Sequence, residues 1–298
     1  MDCGLIIPTL NAGSQFQKLL GQIAAQSLPT KKLIVDSESD DGTAELAKNF
    51  GLEVLTIRRE NFNHGATRQF ALEHLLKKFP LDVIIFLTQD VLLREEQSLA
   101  KLVKIFGEDK SVGLSYGRQL PHENATNEAK FLRAFNYPPE SQLRSLDDKK
   151  IYGLKTAFAS NSFAAYRVEA LRGVGGFPLN VPLSEDMYVA AKMLLRGLKI
   201  FYAADAQVYH SHNYTAAQEF SRYVQIGKFH AQESWIRENF GSAEGAGKKF
   251  VLMKLAALAK ENPLDCAGAI FRDAAKFFGY RLGRLRGQNN AIHKRFIS

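Results

Sequence analysis

Several acids, histidines and one arginine stand at spacings that suit a charged ligand. Four segments bring polar groups to the ends of regular elements: Pro8-Thr9-Leu10-Asn11, Asp36 to Thr43 (DSESDDGT), Thr88-Gln89-Asp90 and Ser184-Glu185-Asp186. Asp90 comes directly after the run VIIFL and two polar residues, which puts an acid at the carboxyl edge of a sheet, where ligands of such sheets collect. Turn and helix-cap chemistry also explains DSESDDGT, because Asp, Ser and Gly are ordinary turn residues. Glu185 and Asp186 open a helix, where negative side chains favour the macrodipole as well as any reacting group. Arg68 follows His64 by one helical turn, so both side chains lie on one face. In His210-Ser211-His212 the two imidazoles alternate along an extended segment and point to one side.

The elements that must position these groups alternate. Leu5 to Leu10 reads as a short buried strand and Ser14 to Gln26 as a helix, with Phe16, Leu19, Leu20 and Ile23 at helical spacing. Strands follow at Lys31 to Asp36, Glu53 to Ile57, Asp82 to Leu87 and Val112 to Tyr116. Helices lie between them at Thr43 to Phe50, His64 to Phe79 and Glu96 to Phe106. This alternation predicts a parallel α/β sheet covered on both faces. Pro121 to Tyr152 is polar and contains Pro138-Pro139, so it reads as an insertion or mobile loop. Ile200 to Ala203 and Ala206 to Tyr209 read as two short strands, and everything after Tyr214 reads as helix.

Composition excludes several classes. With 46% hydrophobic and 23% charged residues in 298, the chain is neither disordered nor a fibrous repeat. Its two cysteines make no disulfide framework and no CxxC motif. No GxGxxG or Walker loop follows a strand, which removes the nicotinamide enzymes and the P-loop proteins. No signal peptide and no apolar run of spanning length is evident, so a cytoplasmic protein is expected. The net charge is +8, and the segment from Lys248 onward, with 11 basic and 3 acidic residues, holds all of it. The region around the motifs is therefore charge-balanced, which argues against a nucleic-acid partner.

Taken together, the motifs resemble glycosyltransferase family 2. IPTLNAG, VDSESDDGT, FNHGATRQFAL, LTQD, and GVGGFP followed by SEDMYVAAKMLLRGLKI stand in the order of that family's blocks, over about residues 4–214. FNHGATR, LTQD, HSHNYT and RYVQIGKFH…W are most similar to bacterial rhamnosyltransferases. The resemblance implies a GT-A fold, Rossmann-like and mostly parallel, over 1–214, with a helical region over 215–298. It implies an inverting transfer of a sugar, L-rhamnose from dTDP-L-rhamnose being favoured, onto a lipid-linked glycan acceptor in surface polysaccharide (O-antigen or capsule) synthesis. A UDP-sugar donor, or a non-catalytic nucleotide-sugar or glycan-binding module, are the alternatives.

The resemblance also implies roles. Pro8, Thr9, Asn11 and Asp36 would line the nucleoside slot, with Asp36 accepting from the base. His64, Arg68, Gln89 and Asp90 would bind the rest of the donor, Arg68 by bidentate contact with the diphosphate. Asp90 would hold Mg²⁺ or Mn²⁺, with His210 as a further ligand. Thr88 stands where the family's metal motif usually has its first Asp, so one carboxylate is missing. Asp186 falls at the position of the catalytic base.

The tail adds a second theme. Leu264, Ala267, Phe271, Ala274, Ala275, Phe278, Leu282 and Leu285 form one helical stripe, with Arg272, Lys276, Arg281, Arg284 and Arg286 on other faces. Such a helix either packs on the catalytic domain or lies on an anionic membrane, which would place the protein at the inner face of the cell membrane. Trp235, Tyr223 and Phe229 read as core residues of a helix.

Overall fold

In a computed structural model, residues 1–181, 183–241 and 244–295 are described. The strands are β1 (Cys3–Thr9), β2 (Lys31–Asp36), β3 (Glu53–Thr56), β4 (Val83–Leu87), β5 (Leu92–Leu93), β6 (Val112–Leu120), β7 (Gln142–Arg144), β8 (Phe163–Arg167) and β9 (Lys199–Tyr209). The helices are α1 (Gln15–Ala24), α2 (Thr43–Asn49), α3 (His64–Lys78), α4 (Ser98–Val103), α5 (Ile105–Glu108), α6 (Asn127–Asn136), α7 (Lys149–Tyr152), α8 (Val168–Gly173), α9 (Glu185–Leu195), α10 (Ala216–Gln232), α11 (Ser234–Phe240), α12 (Glu244–Glu261) and α13 (Asp265–Arg295).

The strands form one sheet in the order β3-β2-β1-β4-β8-β6-β9-β5, with β7 also paired to β9. The first four are parallel, as the alternating pattern predicts. The rest is mixed: β8 runs antiparallel to β4 and β6, β6 runs parallel to β9, and β5 and β7 run antiparallel to β9. The antiparallel β8 matters for the site. It brings the residues that precede β8 to the same edge as the residues that follow β4, because Leu87 pairs with Phe163.

Two buried clusters cover the sheet. Ile6, Leu33, Phe86, Tyr166 and Leu194 pack on one face, and Leu5, Ile7, Phe16, Leu19 and Val208 on the other. Strands buried on both faces read as continuous apolar runs, which is why VIIFL and LIIPT are legible. Phe229, Ile236 and Phe240, from α10 and α11, lie in the first cluster, and Trp235 packs against it. Those two helices therefore share the core of the sheet.

Three expectations are corrected. Residues 121–152 are an ordered layer: α6, β7 and α7 lie there, and Tyr137 packs into the first cluster. Polarity hid this, because the buried guanidinium of Arg144 spends its hydrogen bonds on internal partners, the hydroxyl of Tyr116 and the carbonyl of Phe158. The two strands expected between 200 and 209 are one strand with a bulge: Gly117 pairs with Ala203 but Arg118 pairs with Gln207, leaving Asp205 exposed. The helix expected from 96 to 106 is split into α4 and α5.

Candidate active site

The ends of β1 and β2 are tied into one loop system. The Thr9 hydroxyl donates to Asp36 Oδ1 at 2.9 Å, the Ser39 hydroxyl donates to the same oxygen at 2.6 Å, and the Ser39 N–H donates to Oδ2 at 2.9 Å. The two loops then interlock. Asn11 N–H donates to the Ser39 hydroxyl (2.9 Å), Asp40 N–H to Asn11 Oδ1 (3.0 Å), and Gly13 N–H to Asp41 Oδ2 (3.0 Å). Asn11 and Glu38 have φ of 46° and 55°. Such left-handed non-glycine residues persist where surroundings over-determine them, and they cluster at functional sites. Asp36 itself is 1% exposed, and its carboxylate ties this loop pair together. Gln89 has a similar part: its amide accepts from Leu10 N–H at 2.7 Å and donates to Leu10 C=O at 3.0 Å, clamping the end of β1 to the residues after β4. Pro8 is half-buried and Asn11 exposed beside them.

Asp90 meets the two imidazoles. His210 Nε2 lies 3.4 Å and His212 Nε2 3.6 Å from Asp90 Oδ2. One ligand atom from each residue falls within 4.8 Å of the others. Burial raises the Asp90 carboxyl, but the hydrogen bond and charge of His210 outweigh it, and the group lies below the usual carboxylate range. Burial pushes His210 down and His212 down to about 4, favouring neutral imidazoles with free lone pairs. Gln119 orients His210: its Oε1 accepts from His210 Nδ1 at 2.8 Å, while its Nε2 donates to the Ser160 hydroxyl at 2.9 Å. That turns His210 Nε2 toward Asp90, the orientation that histidine ligands of metals take, and a cation bound there would replace the proton shared with Asp90. One carboxylate and two imidazoles fit a divalent cation. They suit Mn²⁺ better than Mg²⁺, which favours an all-oxygen shell. A cavity of about 460 Å³ opens beside the cluster, lined by Gly13, Ser14, Asp90, His122, Asn124 and His212 among others.

The third group lies at the start of α9. Ser184, with φ of 68°, turns the chain into the helix. Glu185 is buried and ion-paired to Arg68 at 3.1 Å. Asn161 Nδ2 donates to Glu185 Oε1 at 2.8 Å, and the Tyr166 hydroxyl donates to Asn161 Oδ1 at 2.7 Å. The neighbouring Asp186 accepts from Asn161 N–H at 3.2 Å and from Met187 N–H at 2.8 Å. Burial, and then the charge of Glu185, push Asp186 up to about 7. Glu185 goes the other way: burial opposes its charge, but Arg68 and His64 hold it below its ordinary range. Two adjacent carboxylates are thus driven apart, one kept ionised and one poised near neutrality, as perturbed groups often are at functional sites.

Arg68 takes a different position from the one expected of a diphosphate ligand. It is 3% exposed, its Nη1 donates to His64 C=O at 3.0 Å, and its charge is spent on Glu185. The local sequence explains why. Asn63 caps α3 by accepting from Gly65 and Ala66 N–H, both at 3.0 Å, which starts the helix at His64. At Gly65 a Cβ would stand 2.0 Å from the Pro178 carbonyl oxygen, so only glycine lets α3 approach the loop before α9 this closely.

Residues 160–162 join the parts. Ser160 contacts Gln119, Asn161 contacts Glu185 and Asp186, and Ser162 C=O accepts from Thr88 N–H at 3.4 Å. Asp90, His210 and Asp186 therefore border one edge. Sequence reasoning missed Asn161 and Gln119, which sit in no recognisable motif, and the cavity residues His122 and Asn124. His212 was visible in the HxH pair, but only the fold shows that both imidazoles face Asp90.

The comparisons with known proteins agree with one another. The family model described as Glycosyl transferase family 2 matches residues 5–175. The chain is 43% identical over 286 residues to the O-antigen chain rhamnosyltransferase RfbN of Salmonella typhimurium, covering 95% of this chain and 90% of that one. It is 42% identical over 288 residues to the O-antigen chain rhamnosyltransferase WbaN of Salmonella anatum, covering 94% and 88%. Among solved structures, the mannosyltransferase PcManGT from Pyrobaculum calidifontis, in complex with GDP-Man and Mn²⁺, superposes with a TM-score of 0.59 at 21% identity, covering 97% of this chain and 84% of that one. TarS of S. aureus, residues 1–349 with UDP-GlcNAc, superposes with a TM-score of 0.56 at 16% identity, covering 97% and 92%. These structures share the GT-A-like architecture.

Proposed function

Because this chain belongs to glycosyltransferase family 2, we propose that it is a rhamnosyltransferase of O-antigen assembly that moves L-rhamnose from dTDP-L-rhamnose to a lipid-linked glycan. That it is a glycosyltransferase follows from its family and from the identity across nearly its whole length. The observation that carries the chemistry is Asp186, pushed up to about 7 beside an ionised Glu185 and at the same edge as Asp90, His210 and His212.

The reaction requires a base for the acceptor and a place for a departing diphosphate. Asp186 takes the proton from the acceptor hydroxyl as its oxygen attacks the anomeric carbon. The bond from that carbon to the diphosphate oxygen breaks with inversion, and the nucleoside diphosphate leaves. A carboxyl near 7 is half ionised at neutral pH, which suits a base that must be free to accept and strong enough to do so. Glu185, held by Arg68 and Asn161, keeps that basicity high without reacting itself. Asp90, His210 and His212 would hold a divalent cation, which supplies positive charge to a diphosphate. The loops of Pro8, Thr9 and Asn11, organised by Asp36, form the nucleoside slot, and His64 borders Arg68 at the far side.

The test is a screen of dTDP-rhamnose, UDP-sugars and GDP-mannose for binding and hydrolysis, with Mn²⁺, Mg²⁺ or chelator. A ligand at ~100 times its Kd stabilises the folded state by about 2.7 kcal/mol, which a thermal shift reads. Selective, Mn²⁺-dependent stabilisation and turnover of dTDP-rhamnose is expected. Turnover of a UDP-sugar instead moves the donor assignment, and binding without turnover of any donor defeats the enzymatic reading.

A further inference from the structure

The C-terminal helices are polarised opposite to what water alone would select. Leu264, just before α13, and Phe271, Phe278 and Leu285 on it recur every seven residues and are all exposed, Phe271 by 69% and Phe278 by 63%. Phe277 on α13 and Leu252 on α12 are exposed as well. Where α13 meets α10 most closely it carries glycines. A Cβ at Gly279 would lie 2.5 Å from Phe220 C=O, and one at Gly283 would lie 2.0 Å from Val224 C=O, so these glycines let α13 seat backbone-close on α10. A helix that packs through glycine and leaves its phenylalanines outside has an apolar face without a partner among the described residues.

Charge indicates what covers that face. Asp273 is tied inward to Lys254 at 2.6 Å, and Asp265 to Asn127 at 2.8 Å. Glu261 and Lys260 are exposed at the end of α12, and Arg281 and Arg286 are exposed on α13, the Arg281 guanidinium lying over the Phe277 ring. A second copy of the chain would bring Arg281 and Arg286 near their own kind, whereas an anionic lipid surface accepts both the aromatics and the cations. The platform is also anchored close to the site. Lys254 and Arg272 bind Glu128 of α6 at 2.9 and 2.5 Å, and α6 begins directly after the loop whose His122 and Asn124 line the cavity.

We infer that the outward face of α12 and α13 is a docking surface for an anionic bilayer, in which the phenylalanines enter the headgroup boundary while Arg281 and Arg286 meet lipid phosphates. This rests on the reading that the acceptor is lipid-linked: the platform would bring the cavity to an acceptor that stays in the membrane.

The experiment is co-sedimentation of the full chain with vesicles of phosphatidylcholine alone or mixed with phosphatidylglycerol, at low and high salt. Wild type is expected to bind the mixed vesicles, more weakly at high salt. Phe271→Ser with Phe278→Ser should weaken binding about 100-fold, and Arg281→Gln with Arg286→Gln about 30-fold on the anionic vesicles only. Both pairs are exposed, and their melting and donor hydrolysis should match wild type. Wild type that ignores anionic vesicles at low salt overturns the inference. So does a Phe pair that leaves vesicle binding unchanged, or one that only converts a dimer to a monomer, which would assign the face to a second copy. Vesicle binding without hydrolysis of any donor would leave this surface standing and defeat the functional reading alone.

Discussion

Asp186→Asn separates chemistry from folding. Asp186 is half-buried and its carboxyl stands at about 7 against an ordinary 3.8. A folded-state value above the unfolded one means that the ionised form is penalised in the native protein. The penalty is absent below pH 3.8 and grows until the group is fully ionised above about 7, where it reaches on the order of 4 kcal/mol. Asparagine carries no charge and escapes that penalty. Its amide offers one oxygen in place of two, so one of the N–H donors of Asn161 and Met187 loses its partner, at a cost of about 1–3 kcal/mol. The variant should therefore melt at or slightly above the wild-type temperature near pH 8. Its kcat should fall ~10² to 10⁴-fold, the span of a lost general base, with nucleoside diphosphate affinity within a few-fold. The assay is transfer rate against pH, alongside thermal melts. Wild-type kcat should rise as pH climbs through about 7 and then level, because only the ionised carboxyl accepts a proton. Glu185→Gln should move that midpoint downward, since the charge of Glu185 helps to raise it. Near-normal transfer by Asp186→Asn, or an upward shift in Glu185→Gln, would refute the assignment.

Other predictions are simpler. Asp90→Asn and His212→Ala should each lose Mn²⁺-dependent stabilisation in thermal shift while the metal-free melt changes little, since both side chains lie at the cavity edge; unaltered Mn²⁺ response in both would remove the cluster from metal binding. Gly65→Ala forces a Cβ against the Pro178 carbonyl and should cost about 1–3 kcal/mol by urea unfolding, together with loss of activity as α3 and α9 separate. Lys254→Met leaves Asp273 only the longer contact with Lys276 at 3.8 Å and weakens the cluster around Glu128; stability should drop by about 3 kcal/mol at neutral pH and less at low pH, where the acids are protonated. Gln119→Leu frees the His210 ring and should weaken Mn²⁺ affinity about 10 to 100-fold in titration.

Much of the first half of the molecule was written in local pattern. The runs LII, LIV and VIIFL announce strands buried on both faces, and Phe16, Leu19, Leu20 and Ile23 announce α1, because side-chain periodicity is a local property. The acids after β2 and β4 and at the start of α9 could be placed at element ends for the same reason, and the order of the motifs pointed to the family. What the chain alone could not show depends on pairs distant in sequence. The antiparallel course of β8, which brings Asn161 beside Asp186, is a choice of strand partner made by packing. Residues 121–152 looked like a loop because Arg144 and its partners cancel one another's polarity only once folded. Arg68 looked like a ligand for phosphate until α9 delivered Glu185 to it, and Gln119 had no signal until β6 laid it next to His210. The stripe on α13 was legible from period alone, but its direction was not. An amphipathic helix shows that it has an apolar face, and only its glycine-lined contact with α10 shows that this face points away from the protein.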